Sequence, residues 1–254
     1  MGLFKMRKES FKAFLKRKDI EFSAKRYGID ALGAMAQGLF ASLLIGTILS
    51  TIGTQFNIAI FNEMGDFAKT VAGSAMAVAI GFALKAPPLV LFSLVAVGWA
   101  ANSLGGAGGP LAVLLITIVS AELGKAVSKE TKVDILVTPL TVIISGALLS
   151  HFCAPAIGVA ASYVGNAIMW ATEQRPFVMG IIVSVVVGIA LTLPISSAAI
   201  CAALSLTGLA GGAAVAGCCA QMIGFAVMSF KENRWGGLLA QGIGTSMLQM
   251  GNIV

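Results

Sequence analysis

Six uncharged runs dominate the chain: residues 31–62, 70–84, 86–121, 135–172, 176–230 and 235–254, with charges confined to short breaks between them. One helical crossing of a bilayer takes about 20 apolar residues. The pattern therefore predicts an all-α polytopic integral membrane protein with about seven to nine transmembrane or half-membrane helices. The first crossing is expected over Ala31–Gly53 and the second over Phe67–Leu84, with Thr54–Asp66 external or interfacial. Pro87-Pro88 breaks the chain, and the third crossing runs to Asn102. The sharpest break is Gly105-Gly106-Ala107-Gly108-Gly109-Pro110, an external turn or unwound segment. The fourth crossing, Leu111–Leu123, leads into the loop from Lys125 to Asp134.

In the second half, Ile135–Ser150 is expected to cross outward, Cys153–Trp170 to return, and Phe177–Leu193 to go out again. A broken helix over Pro194–Leu206 follows, then a full helix ending at Lys231-Glu232-Asn233-Arg234. Trp235–Val254 is glycine-rich and polar for a span, and reads as a re-entrant segment.

Charge orients this array. Residues 1–29 hold nine Lys/Arg and three acids, which is the whole formal excess of +6. A basic arm before long apolar runs places the N-terminus in the cytoplasm, and the lysines of the Lys125–Asp134 loop agree with that after four crossings. Two regions follow: a basic arm over residues 1–29 and a transmembrane region over 30–254. Phe4, Phe11, Leu15 and Phe22 recur at spacings of seven and four with cations on the other face. Residues 3–26 can thus form an amphipathic helix on an anionic leaflet.

Only 11% of residues are charged, against about 25% in a soluble domain, so most of the surface faces lipid. The basic residues precede a membrane segment, and no nucleic-acid partner is expected. The thirty glycines suit close helix packing, with Gly208/Gly212 and Ala213/Gly217 at four-residue spacing. Cys153, Cys201, Cys218 and Cys219 lack metal-ligand spacing and read as small buried hydrophobes. The arm is too long for the n-region of a cleavable signal.

Non-helical backbone at membrane depth is tolerated only where protein buries it or a wet cavity solvates it. Three segments qualify. The Asn102–Pro110 break offers Asn102; the TLPISS string offers Ser196 and Ser197; and GIGTSMLQMGN offers Thr245, Ser246, Gln249 and Asn252, with Gln241 just before it. Neutral amides and hydroxyls donate and accept at once, which suits a small polyhydroxylated solute. His151, the only histidine, is placed at the end of a crossing, as a candidate proton- or ligand-linked residue. Catalytic signals are absent: one histidine among apolar runs makes no nucleophile triad, and no HExxH, CxxC or GK[ST] occurs. No catalytic residue, metal or cofactor is expected.

At Tyr27–Ile48 (YGIDALGAMAQGLFASLLIGTI), Thr192–Ile200 (TLPISSAAI), Phe230–Leu238 (FKENRWGGL) and Gly244–Asn252 (GTSMLQMGN) the chain resembles a bacterial family of IIC subunits. These are the membrane components of the phosphoenolpyruvate-dependent sugar phosphotransferase system, a group that includes perfringolysin O regulator-like proteins. The resemblance implies a multi-pass permease of the bacterial inner membrane that binds a sugar and forms a homodimer. Phosphoryl transfer would come from separate IIB and IIA proteins. Two departures stand out: family members usually continue well past GTSMLQM, which leaves open a C-terminally shortened chain, and proline is expected where Gly251 stands. The sugar-binding Glu and His residues of better-known IIC groups have no counterpart motif, and none is transferred. Two other readings stand beside the permease: a membrane regulator that keeps a IIC fold, with the arm as its output surface, and a secondary transporter or channel.

Overall fold

The computed structural model describes residues 11–190, 201, 204, 206–239, 241 and 242, with helices and no strand among them. The first helix among the described residues is α1 (Phe11–Arg17). Of the helix expected over 3–26, residues 3–10 lie outside the described residues, and the rest is not continuous: α1 ends at Arg17, and Asp19 turns into left-handed backbone at φ 52°. A long helical run then covers Lys25–Phe56, longer at both ends than the Ala31–Gly53 expected. It comprises α2 (Ala31–Leu39) and α3 (Ile45–Phe56), interrupted by two π-helical stretches, Arg26–Asp30 and Phe40–Leu44.

Asn57 ends α3 in the left-handed conformation (φ 54°), its N–H on the Gly53 carbonyl. Asparagine adopts this cap readily. The chain then turns straight back. The segment expected to be external is helical: α4 (Ala59–Thr70) retraces α3, and α5 (Ala72–Ala83) retraces α2. Glycine permits this approach, since a Cβ on Gly38 would stand 2.7 Å from the Met76 Cα, and one on Gly53 would meet Asn62.

Pro88 starts α6 (Pro88–Gly105), where its missing N–H costs nothing. The expected break follows. Gly106 sits at φ 52°, ψ −125°, a conformation open to glycine, and a 3-10 turn over Gly106–Gly108 leads into α7 (Gly109–Val127). Antiparallel packing of α2, α5, α6 and α7 buries the main core, including Met76, Ile80, Leu94, Val97 and Val113. It also brings Lys85 and the loop after Val127 to the end of the bundle that holds the arm.

The largest departure from expectation is α8, one unbroken helix from Asp134 to Gln174. The turn expected between Ser150 and Cys153 does not exist, and His151 lies in mid-helix. The physical reason is local: Ser150–Ala154 contains no glycine, charge or proline to stop a helix, and Pro139 and Pro155 are both accommodated inside it. At 41 residues α8 is about 60 Å long, twice the thickness of a bilayer's hydrocarbon core. Its stretch from Asp134 to about Ala161 packs on α6, α7 and the turn between them, with Gly158 against the Gly105 carbonyl.

Beyond it lie α9 (Pro176–Ala190), α10 (Gly208–Met228) and α11 (Phe230–Leu239). A small second core of Val183, Val187 and Ala214 joins α9 to α10. Gly217 makes the expected close approach, since a Cβ there would collide with the Ser184 carbonyl, whereas Gly208 and Gly212 have open space. The re-entrant segment begins as helix, interrupted at Arg234 (φ 50°, ψ −148°). The cysteines are not buried: Cys153 and Cys219 are exposed, Cys201 and Cys218 half-buried, and all four are free thiols. Among the described residues, five helices are long and apolar enough to cross a membrane, with Ala72–Ala83 and Pro176–Ile189 as shorter apolar ones. The protein is a multi-pass, all-α membrane protein.

Candidate functional site

An open groove of about 900 Å³ runs between α2 and α5. Residues at turn spacing on α2 and its flanking π-helical stretches (Asp30, Gly33, Gln37, Ala41) form one wall, and Ser74, Val78 and Phe82 of α5 lie opposite. Small residues on both helices give the groove its depth. Three polar side chains interrupt its apolar lining. The Ser74 hydroxyl donates to the Val95 carbonyl at 2.8 Å and is satisfied. Asp30 and Gln37 are exposed to the groove and have no hydrogen-bond or ion-pair partner among the described residues. Asp30 ends the first π-helical stretch and Gln37 precedes the second. Such wide turns recur at functional sites. Sequence reasoning missed both residues, although they lie seven apart, on one helix face, in the string that carries the family resemblance.

The arm end of the groove abuts an ionic cluster that the sequence reading also missed. The carbonyl of Leu84, beyond the C-terminus of α5, accepts two cationic donors: Arg26 Nη2 at 2.8 Å and Lys125 Nζ at 3.0 Å. The negative end of the helix dipole favours both. Arg26 also forks onto the Asp19 carboxylate at 2.8 and 3.3 Å. Lys125 reaches the Asp19 backbone carbonyl at 2.6 Å and the Glu122 carboxylate at 3.1 Å. Lys125 is 2% exposed and Arg26 8%, so these are buried charges with partners. Farther out on the arm, Lys18 and Arg17 pair with Glu130 at 2.5 and 2.9 Å, and Lys18 donates to the Ser128 carbonyl. The arm is thus latched onto the loop after α7.

The hydrogen bond from Arg26 holds the Asp19 carboxyl below its ordinary value of 3.8, and Lys18, then Arg17, hold Glu130 below 4.5. Both shifts are downward, so the latch is fully formed above those ordinary values. It is lost as the pH falls through the lower, folded ones. Hydrogen exchange corrected for intrinsic rate should show the backbone of residues 14–20 protected at pH 7, with protection falling as the pH is taken progressively below the ordinary carboxylate values. Protection in Asp19→Asn/Glu130→Gln equal to that of the unaltered protein at pH 7 would show that the carboxylates do not hold the arm.

The residues expected from sequence fall in separate places. Asn102 packs between Gly73 and Gly109 and lines neither this groove nor the smaller hollow of about 530 Å³ at the Gly105–Gly106 break. Gln241 is buried, its Nε2 donating to the Ser229 hydroxyl at 3.1 Å, and so ties the chain after α11 to the end of α10. His151 is exposed on α8 beside the Phe152 ring. Ser196, Ser197, Thr245, Ser246, Gln249 and Asn252 lie outside the described residues.

No curated protein and no solved structure matches this chain. A family model described as "Phosphotransferase system, EIIC" matches residues 29–254, everything but the first 28 residues. A polytopic helical protein with this match belongs to the EIIC family, the membrane permease components of sugar phosphotransferase systems.

Proposed function

We propose that the groove between α2 and α5 binds a small polyhydroxylated solute, a sugar, on its way across the membrane. One observation carries the reading: the unpartnered Asp30 and Gln37 on a membrane-crossing helix. An unsatisfied amide or carboxylate facing hydrocarbon is costly, and a solute rich in hydroxyls would satisfy both. The two side chains stand about 10 Å apart along the helix, the length scale of a small sugar. The small apolar walls offer flat surface to its C–H faces. The arm end is placed in the cytoplasm, where a separate IIB protein would phosphorylate the solute, and the functional unit is a homodimer.

Binding of a panel of sugars and polyols to the purified protein tests it. Gln37→Ala should weaken the best ligand by roughly tenfold, the worth of one to two hydrogen bonds. Asp30→Asn should weaken it further, because an ionised acceptor is stronger. Equal affinity in both variants would remove the groove from the solute path.

A further inference from the structure

We propose that the Asp19 carboxylate is an internal stand-in for a phosphate monoester, held in a cation cradle at the arm end of the groove and displaced when such an anion binds. The inference rests on the groove being the solute path. Three cations face this carboxylate: Arg26 at 2.8 Å, Lys85 at 3.9 Å, and Lys125, whose ammonium is bonded to the Asp19 backbone. The opposing acids are Asp19 itself, Glu21 at 3.9 Å from Arg26, and Glu122 against Lys125. Asp19 and Glu21 both lie on the part of the arm before Lys25, whereas Arg26 belongs to the helical run Lys25–Phe56. When residues 11–21 lift away the two acids leave together, and Arg26, Lys85 and Lys125 then face Glu122 alone. The net charge of +2 matches a phosphate dianion better than a single carboxylate, and the guanidinium fork fits phosphate oxygens as it fits the carboxylate.

The site also has an entrance and a trigger. A hollow of about 380 Å³ lined by Leu15, Lys16, Asp19, Ile20 and Glu21 opens beside the carboxylate. Asp19 sits at φ 52° with the buried Ile20 directly after it, a conformation uncommon for a non-glycine residue that release would relax. The groove reaches this cradle through Asp30 and Ala83, near neighbours of Arg26 and Leu84. A solute phosphorylated at this end would place its phosphate among the cations and its hydroxyls on Asp30. Product binding and arm release would then be one event.

The test uses the full chain in nanodiscs and reads tryptic cleavage after Lys16, Arg17 and Lys18. One arm adds hexose 6-phosphates and glycerol 3-phosphate to zwitterionic discs. The other uses discs containing phosphatidic acid with no soluble phosphate. Faster cleavage in the first identifies a soluble monoester as the ligand, and in the second a lipid headgroup; unchanged cleavage in both overturns the proposal. Asp19→Asn removes the internal competitor, so monoester binding should tighten about tenfold if the latch is closed about ten to one. Lys85→Gln, at an exposed position that leaves folding intact, should weaken it about threefold. No tightening in Asp19→Asn also overturns the proposal. Binding of unphosphorylated sugars, measured on the same samples with Gln37→Ala, reports separately on the groove.

Discussion

Replacing Lys125 by methionine should destabilise the protein by about 3 kcal/mol, the largest loss expected from any single side chain here. The side chain is 2% exposed and its ammonium has three partners: the Asp19 and Leu84 carbonyls and the Glu122 carboxylate. Methionine fills nearly the same volume, so the loss reflects charge and hydrogen bonding and leaves packing intact. Glu122 is the group left stranded, its side chain only 11% exposed. The double variant Lys125→Met/Glu122→Gln should therefore recover a substantial part of the loss, a coupling of roughly 1–2 kcal/mol in a double-mutant cycle. Thermal unfolding in detergent would show the single variant lower by about 10 °C, at roughly 2–4 °C per kcal/mol for a chain of this size. A double variant no more stable than the single one would mean that Glu122 was never compensated by Lys125.

Gly98→Leu should be comparably damaging through sterics alone. A Cβ at Gly98 would collide with the Gly73 carbonyl oxygen and with the Ala77 side chain, and one at Gly73 would in turn strike the Gly98 carbonyl and Asn102. The two backbones touch, so no rotamer of leucine avoids the clash and α5 must move off α6. Overpacking of this kind costs about 1–3 kcal/mol in soluble cores and occasionally more. Because α5 also forms one wall of the groove, the displacement should abolish solute binding along with stability. Gly180→Leu is the matched control, since nothing lies within 4 Å of the Cβ it would add. Unfolding midpoints for the two variants should separate clearly, and equal midpoints would show that the α5–α6 contact is not close in the folded protein.

What could be read from the sequence follows from how far each signal reaches. The helical, multi-pass character was legible because hydropathy is summed over some twenty residues. The break at Gly105–Pro110 was legible because four glycines and a proline leave few alternatives. The hairpin of α3 on α4 was not. Glu63, Asp66 and Lys69 lower the hydropathy of α4, and its helicity rests on the turn at Asn57 and on glycine contacts with α3 that no local pattern reports. The unbroken α8 was missed for the opposite reason: a length suited to two crossings was read as two, although no residue between Ser150 and Cys153 stops a helix. The ionic cluster joins Asp19, Arg26, Leu84, Glu122 and Lys125 from three separate stretches, and only the folded bundle brings them together. Glu122 and Lys125 could be seen as an adjacent pair at a helix end, but their burial could not. Gln37 was visible within an apolar run and Asp30 at its edge. Residues that seemed to mark broken helices drew attention from them.

Leverage is the consequence of α8's length. Its contact with the α6–α7 turn reaches Ala161, packed on Gly108, and thirteen residues run on from there to Gln174. A tilt of about 10° about that fulcrum would swing the far tip by about 3 Å, given a rise of 1.5 Å per residue. A continuous helix converts a small rocking at one end into a displacement the size of a water molecule at the other, so α9 and α10 would be carried as cargo.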